Sequence, residues 1–403
     1  MKIKYLLFLQ FLFLANVDAQ TIKILFDATK AESAGNADWV IDADQHNIYW
    51  NPNAQINSGD ESNAQRFPVP LQSGILTSTP ESYWQGGISN WGIDCVKQGY
   101  EVETLPYNGS ITFNNTGNVQ DLSNYNIFVV CEPNILFSTT EKNAILNFIH
   151  SGGSLFMISD HDQSDRNGDG SDSPTIWNDL MSANPFGITF NLNNFSQTST
   201  SVITTLSDSI AYGSFGHVSQ VLWSGGTDMT IDTAVNPTVR GVVFKNGSLN
   251  NNTKAMFAYA RYGSGKVAAI GDSSPFDDGS GDVNDVLYNG YIQDAAGNHR
   301  KLIMNTTVWL ATENNSTTLV EQTQSNDDVN VYSSKKNLFI SNKSTSILSF
   351  KVTDLLGKIV CENSSLGKNS ENIYSLRTLE LGVYVVKIEG TNMALIKKII
   401  ISE

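Results

Sequence analysis

Aspartate and histidine, two side chains suited to acid–base chemistry, follow apolar runs of this chain at the points where the runs end. The candidate residues are Asp27 after residues 21–26, Asp160 and His161 after residues 155–158, and Asp272 after residues 266–270. If the runs are parallel strands, their carboxyl ends share the sheet edge where open α/β sheets bind ligands. Carboxylates and an imidazole that meet there can hold a divalent metal or transfer protons in hydrolysis. The simpler alternative is that these aspartates cap helices and close turns.

A dense acidic loop follows the second of these runs. In residues 165–172, side-chain oxygens alternate and Gly170 takes the sixth position, as at the start of an EF-hand calcium loop. The twelfth position is Ile176 instead of Glu, so the EF-hand pattern is incomplete. The motif predicts bound Ca²⁺, with another divalent metal or an acidic turn without metal as alternatives. The predicted metal ligands are Asp162, Asp165, Asn167, Asp169 and Asp172.

Strands and helices are predicted to alternate over the first 160 residues. Strands are indicated at 21–26, 100–105, 125–132 and 155–158, and a helix at 83–98. A second helix begins at Ser138, which has the spacing of a capping box with Glu141. This alternation favours an α/β fold with a mostly parallel sheet and flanking helices.

The chain divides by composition into four predicted segments. Residues 1–19 resemble a signal peptide, because Lys2 and Lys4 precede an apolar run that ends at a small-residue site near Ala19. A retained membrane anchor is the alternative, and no transmembrane segment is predicted in the mature chain. The further segments are an α/β domain at 20–312 with a β-rich insertion at about 189–254, a linker at 313–329, and a small β-sandwich at 330–403.

The charge balance narrows the range of partners. The 403 residues include 40 acidic and 25 basic side chains, which give a net charge of −15. A role in coating nucleic acid is therefore not expected, because phosphate backbones attract the opposite charge. The three cysteines, Cys95, Cys131 and Cys361, lack metal-ligand spacing and do not indicate a disulfide framework.

The last seventy residues carry three motifs in a recognisable order. They are D-x-x-G-K at residues 354–358, L-x-x-G-x-Y-x-V-K at 379–387, and a lysine-led strand at 397–401. This segment resembles a type IX secretion C-terminal sorting domain. The resemblance implies the type IX secretion machinery as a partner, with export through the periplasm and outer membrane to the cell surface or the medium.

The body of the chain resembles the class I glutamine-amidotransferase-like fold, especially its ThuA-like and secreted branches. The similarity rests on H-S-G-G-S-L-F-M-I-S at residues 150–159 and G-S-G-K-V-A-A-I-G-D at 263–272, before a helix that ends in V-W-L-A. The resemblance implies a flavodoxin-like arrangement of strands. In amidotransferases the strand after the paired glycines carries a nucleophilic cysteine. This chain has Ser159, Asp160 and His161 there, so amidotransferase activity is not expected.

Two functions follow as expectations. The first is a secreted, cation-dependent hydrolase of an extracellular glycan or phosphoester, with Asp160 and His161 as the catalytic centre and Asp27 and Asp272 as partners. The second is a noncatalytic surface protein that binds glycan or protein and is stabilised by calcium. Carboxylates that meet at the sheet edge would favour the enzyme, whereas wide separation would favour the binding protein.

Overall fold

The computed structural model describes residues 21–34, 37–41, 72–84, 86–280, 288–294, 297–312, 329–334, 336–343, 347–354, 358–379, 382–390 and 393–401. The chain forms two compact units, Met1–Asn314 and Asn315–Glu403. The predicted signal peptide and nearly all of the predicted linker lie outside the described residues. None of the helices in the described ranges has the length and apolar character that a bilayer crossing requires.

The described part of the first unit contains fifteen strands, four α-helices and four 3₁₀ turns. The strands are β1 (Lys23–Asp27), β2 (Ser33–Ala34), β3 (Ala37–Asp38), β4 (Glu101–Leu105), β5 (Ile127–Cys131), β6 (Ser154–Ile158), β7 (Ile188–Phe190), β8 (Phe195–Ser199), β9 (Tyr212–Gly213), β10 (Gly216–His217), β11 (Val221–Gly226), β12 (Met229–Ile231), β13 (Arg240–Phe244), β14 (Ala255–Tyr262) and β15 (Gly265–Ile270). The helices are α1 (Ser89–Lys97), α2 (Thr139–His150), α3 (Ser173–Leu180) and α4 (His299–Ala311), and the 3₁₀ turns are Gln72–Gly74, Glu81–Tyr83, Leu122–Asn124 and Ser274–Phe276.

Nine strands form one open sheet in the order β4-β1-β5-β6-β15-β14-β12-β7, with β13 also paired to β14. The five strands from β4 to β15 are parallel, and the pairs beyond β15 are antiparallel. The prediction of an α/β sheet with flanking helices is confirmed, but the sheet is mixed, so the prediction that it is mostly parallel is not fully supported. The direction changes because β14 and β15 are joined by the two residues Gly263 and Ser264, a length that permits only an antiparallel hairpin.

Each face of the parallel strands buries a separate apolar layer. In β1, Ile24 and Phe26 pack in the layer that includes residues of α1 and α4, whereas Leu25 packs in the layer that includes residues of α2 and α3. This two-residue alternation continues through β5 and β6, whose residues are all buried. Because helices cover both faces of these strands, polar side chains that follow the strands lie at the carboxyl edge of the sheet.

The second unit contains two small antiparallel sheets. Its strands are β16 (Val329–Ser334), β17 (Asn337–Asn342), β18 (Leu348–Thr353), β19 (Ile359–Leu366), β20 (Ser370–Ser375), β21 (Gly382–Gly390) and β22 (Met393–Ile401). One sheet has the order β16-β17-β20 and the other β19-β18-β21-β22. Leu338, Ile340, Phe350, Val352 and Ile388 belong to a single apolar core. This arrangement is sandwich-like, as the sequence predicts.

Helix α2 begins with the predicted capping box. Ser138 Oγ accepts the N–H of Glu141 at 3.3 Å, and the Glu141 carboxylate accepts the N–H of Ser138 at 2.7 Å. The same carboxylate lies 2.7 Å from Lys30 Nζ in the loop after β1. The cap therefore also connects α2 to the carboxyl edge of the sheet.

Replacing Ser138 with alanine should test this cap. Ser138→Ala removes the acceptor for the Glu141 N–H, and we expect a loss of about 1 kcal/mol in the free energy of unfolding. Urea unfolding followed by circular dichroism measures the change. Thr140→Ala, at an exposed position in the first turn of the same helix, is the control and should change stability much less. Equal stability of the Ser138 variant and the wild type would contradict the cap.

Candidate active site at the carboxyl edge of the sheet

Strand register brings the ends of three parallel strands to one level. Ile158, the last residue of β6, is paired with Cys131 at the end of β5 and with Ile270 at the end of β15. The residues that follow these strands therefore emerge side by side. They include Glu132 after β5, Asp160 after β6 and Asp272 after β15.

An arginine joins two of these acidic residues. Arg166 Nε donates to Glu132 Oε1 at 3.0 Å, and its terminal nitrogen donates to Asp160 Oδ2 at 2.7 Å. The Glu132 and Asp160 side chains are 0% and 5% exposed, whereas that of Arg166 is 27% exposed. Two buried carboxylates repel each other unless a cation or a proton compensates for their charge. Arg166 supplies that cation from the solvent side.

Two further hydrogen bonds hold the Glu132 side chain. Its Oε2 accepts hydrogen bonds from the indole N–H of Trp39 at 2.9 Å and the hydroxyl of Ser273 at 2.6 Å. Its backbone adopts φ of 49°, in the left-handed region that residues other than glycine seldom occupy. Such strain is maintained only where surrounding contacts determine it, and it concentrates at functional sites.

Burial changes the protonation of the two aspartates at this edge. The pKa of Asp160 is raised well above its usual range by burial and then by the negative charges of Glu132 and Asp272. Burial also raises the pKa of Asp272 to about 7, although its carboxylate accepts the N–H groups of Ser224 at 2.6 Å and Ser274 at 2.9 Å. Asp272 can therefore carry a proton near neutral pH.

Asp27 has a different partner from the one predicted. It lies at the end of β1 and pairs with Glu32, another buried carboxyl, while Thr29 donates to it through its N–H and its hydroxyl at 3.2 Å. Burial raises the pKa of Asp27, and burial with the charge of Asp27 raises the pKa of Glu32 well above its usual range. Two acids in such contact are stable when they share a proton. Asp27 and Glu32 therefore form a second group of acids at the carboxyl edge of the sheet, in addition to Glu132, Asp160 and Asp272.

His161 is the candidate side chain that solvent reaches. Its side chain is 21% exposed, and its Nε2 lies 3.7 Å from Asp160 Oδ2. Its Nδ1 lies 2.6 Å from the carbonyl oxygen of Asp162, which can only accept, so Nδ1 carries a hydrogen. In the neutral ring Nε2 is then the acceptor nitrogen. Gly225 borders this ring, because a Cβ there would lie 3.7 Å from His161 Cδ2.

The predicted calcium loop is built from internal turns. Asp165 accepts the N–H groups of Gly168, Asp169 and Gly170, while Asn167 Oδ1 accepts that of Asp169. Within the described ranges, no group of three or more His, Cys, Asp or Glu side chains is placed to hold a metal ion. Calcium binding stays a prediction.

The last predicted ligand, Asp172, caps a helix. Its Oδ1 accepts the N–H of Thr175 in α3 at 2.9 Å, and its Oδ2 accepts that of Gln163 at 2.7 Å. Asp162 lies beside His161, and its N–H donates to the carbonyl of Asn193 at 3.0 Å. These contacts tie the loop to the start of α3 and to the segment after β7.

The structure groups Asp160, His161 and Asp272 and pairs Asp27 with Glu32. Sequence reasoning missed Glu132, Glu32 and Arg166. The rule that selected the other acids, an ionisable side chain at or just after the end of a buried strand, also applies to Glu132 after β5 and could have found it. No spacing in the chain indicates that Arg166 turns back from its loop to the strand ends.

The sequence comparison assigns the tail. Residues 325–402 match the family model described as a secretion system C-terminal sorting domain. The predicted type IX sorting domain is confirmed. The tail implies export by the type IX secretion machinery, with release or attachment at the cell surface. No curated protein matches the chain.

Comparison with solved structures gives weak likenesses. The mmIFT52 N-terminal domain is 13% identical with a TM-score of 0.43, over 72% of this chain and 97% of that one. A cytoplasmic protein of Salmonella typhimurium is 13% identical with a TM-score of 0.35, over 56% and 87%. A DUF3244 immunoglobulin-like β-sandwich protein of Bacteroides vulgatus is 20% identical with a TM-score of 0.18, over 19% and 84%. The amidotransferase-like resemblance of the body stays a prediction.

The Arg166 contact leads to a pH-dependent stability prediction. Arg166→Met removes the cation and leaves Glu132 and Asp160 facing each other, which should lower the free energy of unfolding by about 2 kcal/mol. The pKa of Asp160 is raised by folding, so its contribution to stability is lost as pH rises through the folded value. The loss in the variant should therefore be larger at about pH 8 than at about pH 5.

Urea unfolding of both proteins at the two pH values measures this effect. Arg240→Met is the matched control, because the Arg240 guanidinium donates to the neutral carbonyls of Pro237 and Val239. The control should show no comparable dependence on pH. A loss for Arg166→Met that is the same at both pH values would contradict the charge-compensating role.

Proposed function

We propose that the protein is an exported hydrolase that acts on an extracellular glycan or phosphoester through an acid–base site at the carboxyl edge of its sheet. The observation that carries the proposal is the His161–Asp160 pair. A partly exposed imidazole with a determined tautomer lies next to a buried carboxyl whose pKa is raised. Such an arrangement is suited to moving a proton near neutral pH.

In this mechanism His161 is the residue that contacts the reacting water. Nε2 takes a proton from the water as its oxygen bonds to the substrate, the bond to the leaving oxygen breaks, and that oxygen receives the proton. In its ionised form, Asp160 faces the imidazolium formed on the way and stabilises its charge. Arg166 and Glu132 hold Asp160 in place, so they act as positioning residues. A requirement for a cation stays a prediction, and no step here depends on one.

The free-energy cost of burying these acids supports a functional role for them. Burying carboxylates without full compensation lowers stability, and well-packed apolar residues of similar size are often at least as stable. This sheet edge retains five buried acids, Asp27, Glu32, Glu132, Asp160 and Asp272. Packing alone does not require them there.

A second candidate is a noncatalytic, calcium-stabilised surface protein that binds glycan or another protein. The observation that favours it is the depth of the acids, since Glu132 and Asp272 are fully buried and both accept hydrogen bonds from the chain. Buried carboxylates that are hydrogen-bonded within the chain stabilise the sheet edge but do not contact a ligand. In this case the loop of residues 160–172 supplies the binding surface.

Activity assays on the full secreted protein separate the two candidates. The wild type should hydrolyse at least one substrate in a panel of glycans, esters and phosphoesters. His161→Ala should lower kcat by about 100-fold or more, because the general base is lost. Asp160→Asn should lower it too, and His217→Ala, an exposed histidine on β10, is the control that keeps activity. Full activity of the His161 variant, or an inactive wild type on the whole panel, would reject the enzyme.

The calcium proposal has an independent test. Chelator should lower the thermal midpoint of the wild type and added Ca²⁺ should restore it, because an ion that binds only the folded state stabilises that state. Asp165→Ala should abolish this response. Asp232→Ala is the control, since Asp232 accepts the N–H groups of Ala234 and Val235 in an unrelated turn, and it should leave the response intact. Identical midpoints with chelator and with calcium would reject a stabilising ion.

A further inference from the structure

The sorting domain exposes apolar side chains on one face of its three-stranded sheet. Tyr332 of β16 is paired with Phe339 of β17, which in turn is paired with Ile373 of β20. The three residues therefore form one row across the sheet. Tyr332 is 50% exposed and Ile373 is 65% exposed, whereas their neighbour Ile340 points to the core and is 1% exposed.

The row borders a cavity of about 580 Å³. The Tyr332 and Phe339 rings are stacked, with centroids 4.7 Å apart and an interplanar angle of 3°. The polar rim of the cavity includes Lys343 and Glu371. An apolar centre with a charged rim is the composition of a protein-binding surface.

We propose that this face, defined by Tyr332, Phe339, Ile373, Lys343 and Glu371, is the surface by which the sorting domain docks on a protein of the secretion machinery. The part of that protein that binds here has apolar side chains that pack on the row and charged groups that pair with Lys343 and Glu371. The proposal depends on the export that the sorting tail implies, and it is independent of the hydrolase.

Two features favour this face over other surfaces of the domain. Its opposite side is occupied by the domain's own core, where Leu338 and Ile340 pack, so the outer side is the one free to bind a partner. Ile359 of β19 is also exposed, at 47%, but it is paired with the polar Thr353. It does not extend an apolar row, which makes it a matched control for an exposed isoleucine.

Secretion of the full chain from a bacterium with a type IX system tests the proposal. Ile373→Ser and Tyr332→Ser should each lower the amount outside the outer membrane by about tenfold while precursor accumulates in the periplasm, because anchor residues dominate such interfaces. Ile359→Ser should be secreted like the wild type. Normal secretion of both row variants, or an equal defect in the control, would overturn the proposal.

Two further measurements exclude misfolding and identify the occupant. The thermal midpoint of each purified full-length variant should match that of the wild type, and Lys343→Glu, which leaves the apolar row intact, should also reduce secretion. With p-benzoylphenylalanine at position 332 in exporting cells, mass spectrometry should identify a protein of the secretion machinery in the cross-link. A cross-link to the same chain or to a second copy, or none at all, would overturn the proposal.

Discussion

The guanidinium of Arg166 lies between two carboxylates that would otherwise repel each other in a nearly dry environment. Glu132 and Asp160 follow the ends of adjacent parallel strands, so the register of the sheet brings their charges together. Because Arg166 reaches both oxygens, the loop that carries it is held against the end of β5. The contact joins the loop of residues 160–172, which begins with Asp160 and His161, to the strand ends.

The same constraint relates the sheet to the proposed chemistry. Five parallel strands with helices on both faces leave one edge for polar groups, and the hairpin between β14 and β15 ends that parallel block. Desolvation at the edge raises the pKa values of Asp160 and Asp272, and that of Asp272 reaches about 7, so a protonated carboxyl is available there near neutrality. His161 extends the network to the solvent, where a substrate can approach. The proposed catalytic group is therefore partly exposed, while the carboxyl groups of Asp160 and Glu132 behind it are buried.

The two units present different kinds of surface. The first places ionisable groups at a sheet edge, and the second places aromatic and aliphatic side chains on the outside of a small sheet. An exposed row of this kind lowers solubility unless a partner covers it at some stage. The row lies in the segment that matches a secretion sorting domain. A partner that binds the tail during export would cover it.

The sequence alone determined the features that depend on local pattern. These include the sorting tail, the alternation of strands and helices, the capping box at Ser138 and the location of Asp160, His161 and Asp272 after strands. The tertiary structure decided which of these groups meet. It placed Glu132 and Arg166 beside Asp160, gave Asp27 the partner Glu32, and turned the acids of the loop toward backbone N–H groups.

The physical reason is the difference between local and long-range contacts. Hydrophobic periodicity and caps act over a few residues and are visible in one dimension. The charge partner of a buried carboxylate is selected by strand register and by the path of a loop, since any nearby cation or shared proton can compensate for its charge. Arg166 occupies a position six residues after Asp160 and 34 after Glu132, and only the folded chain brings the three together.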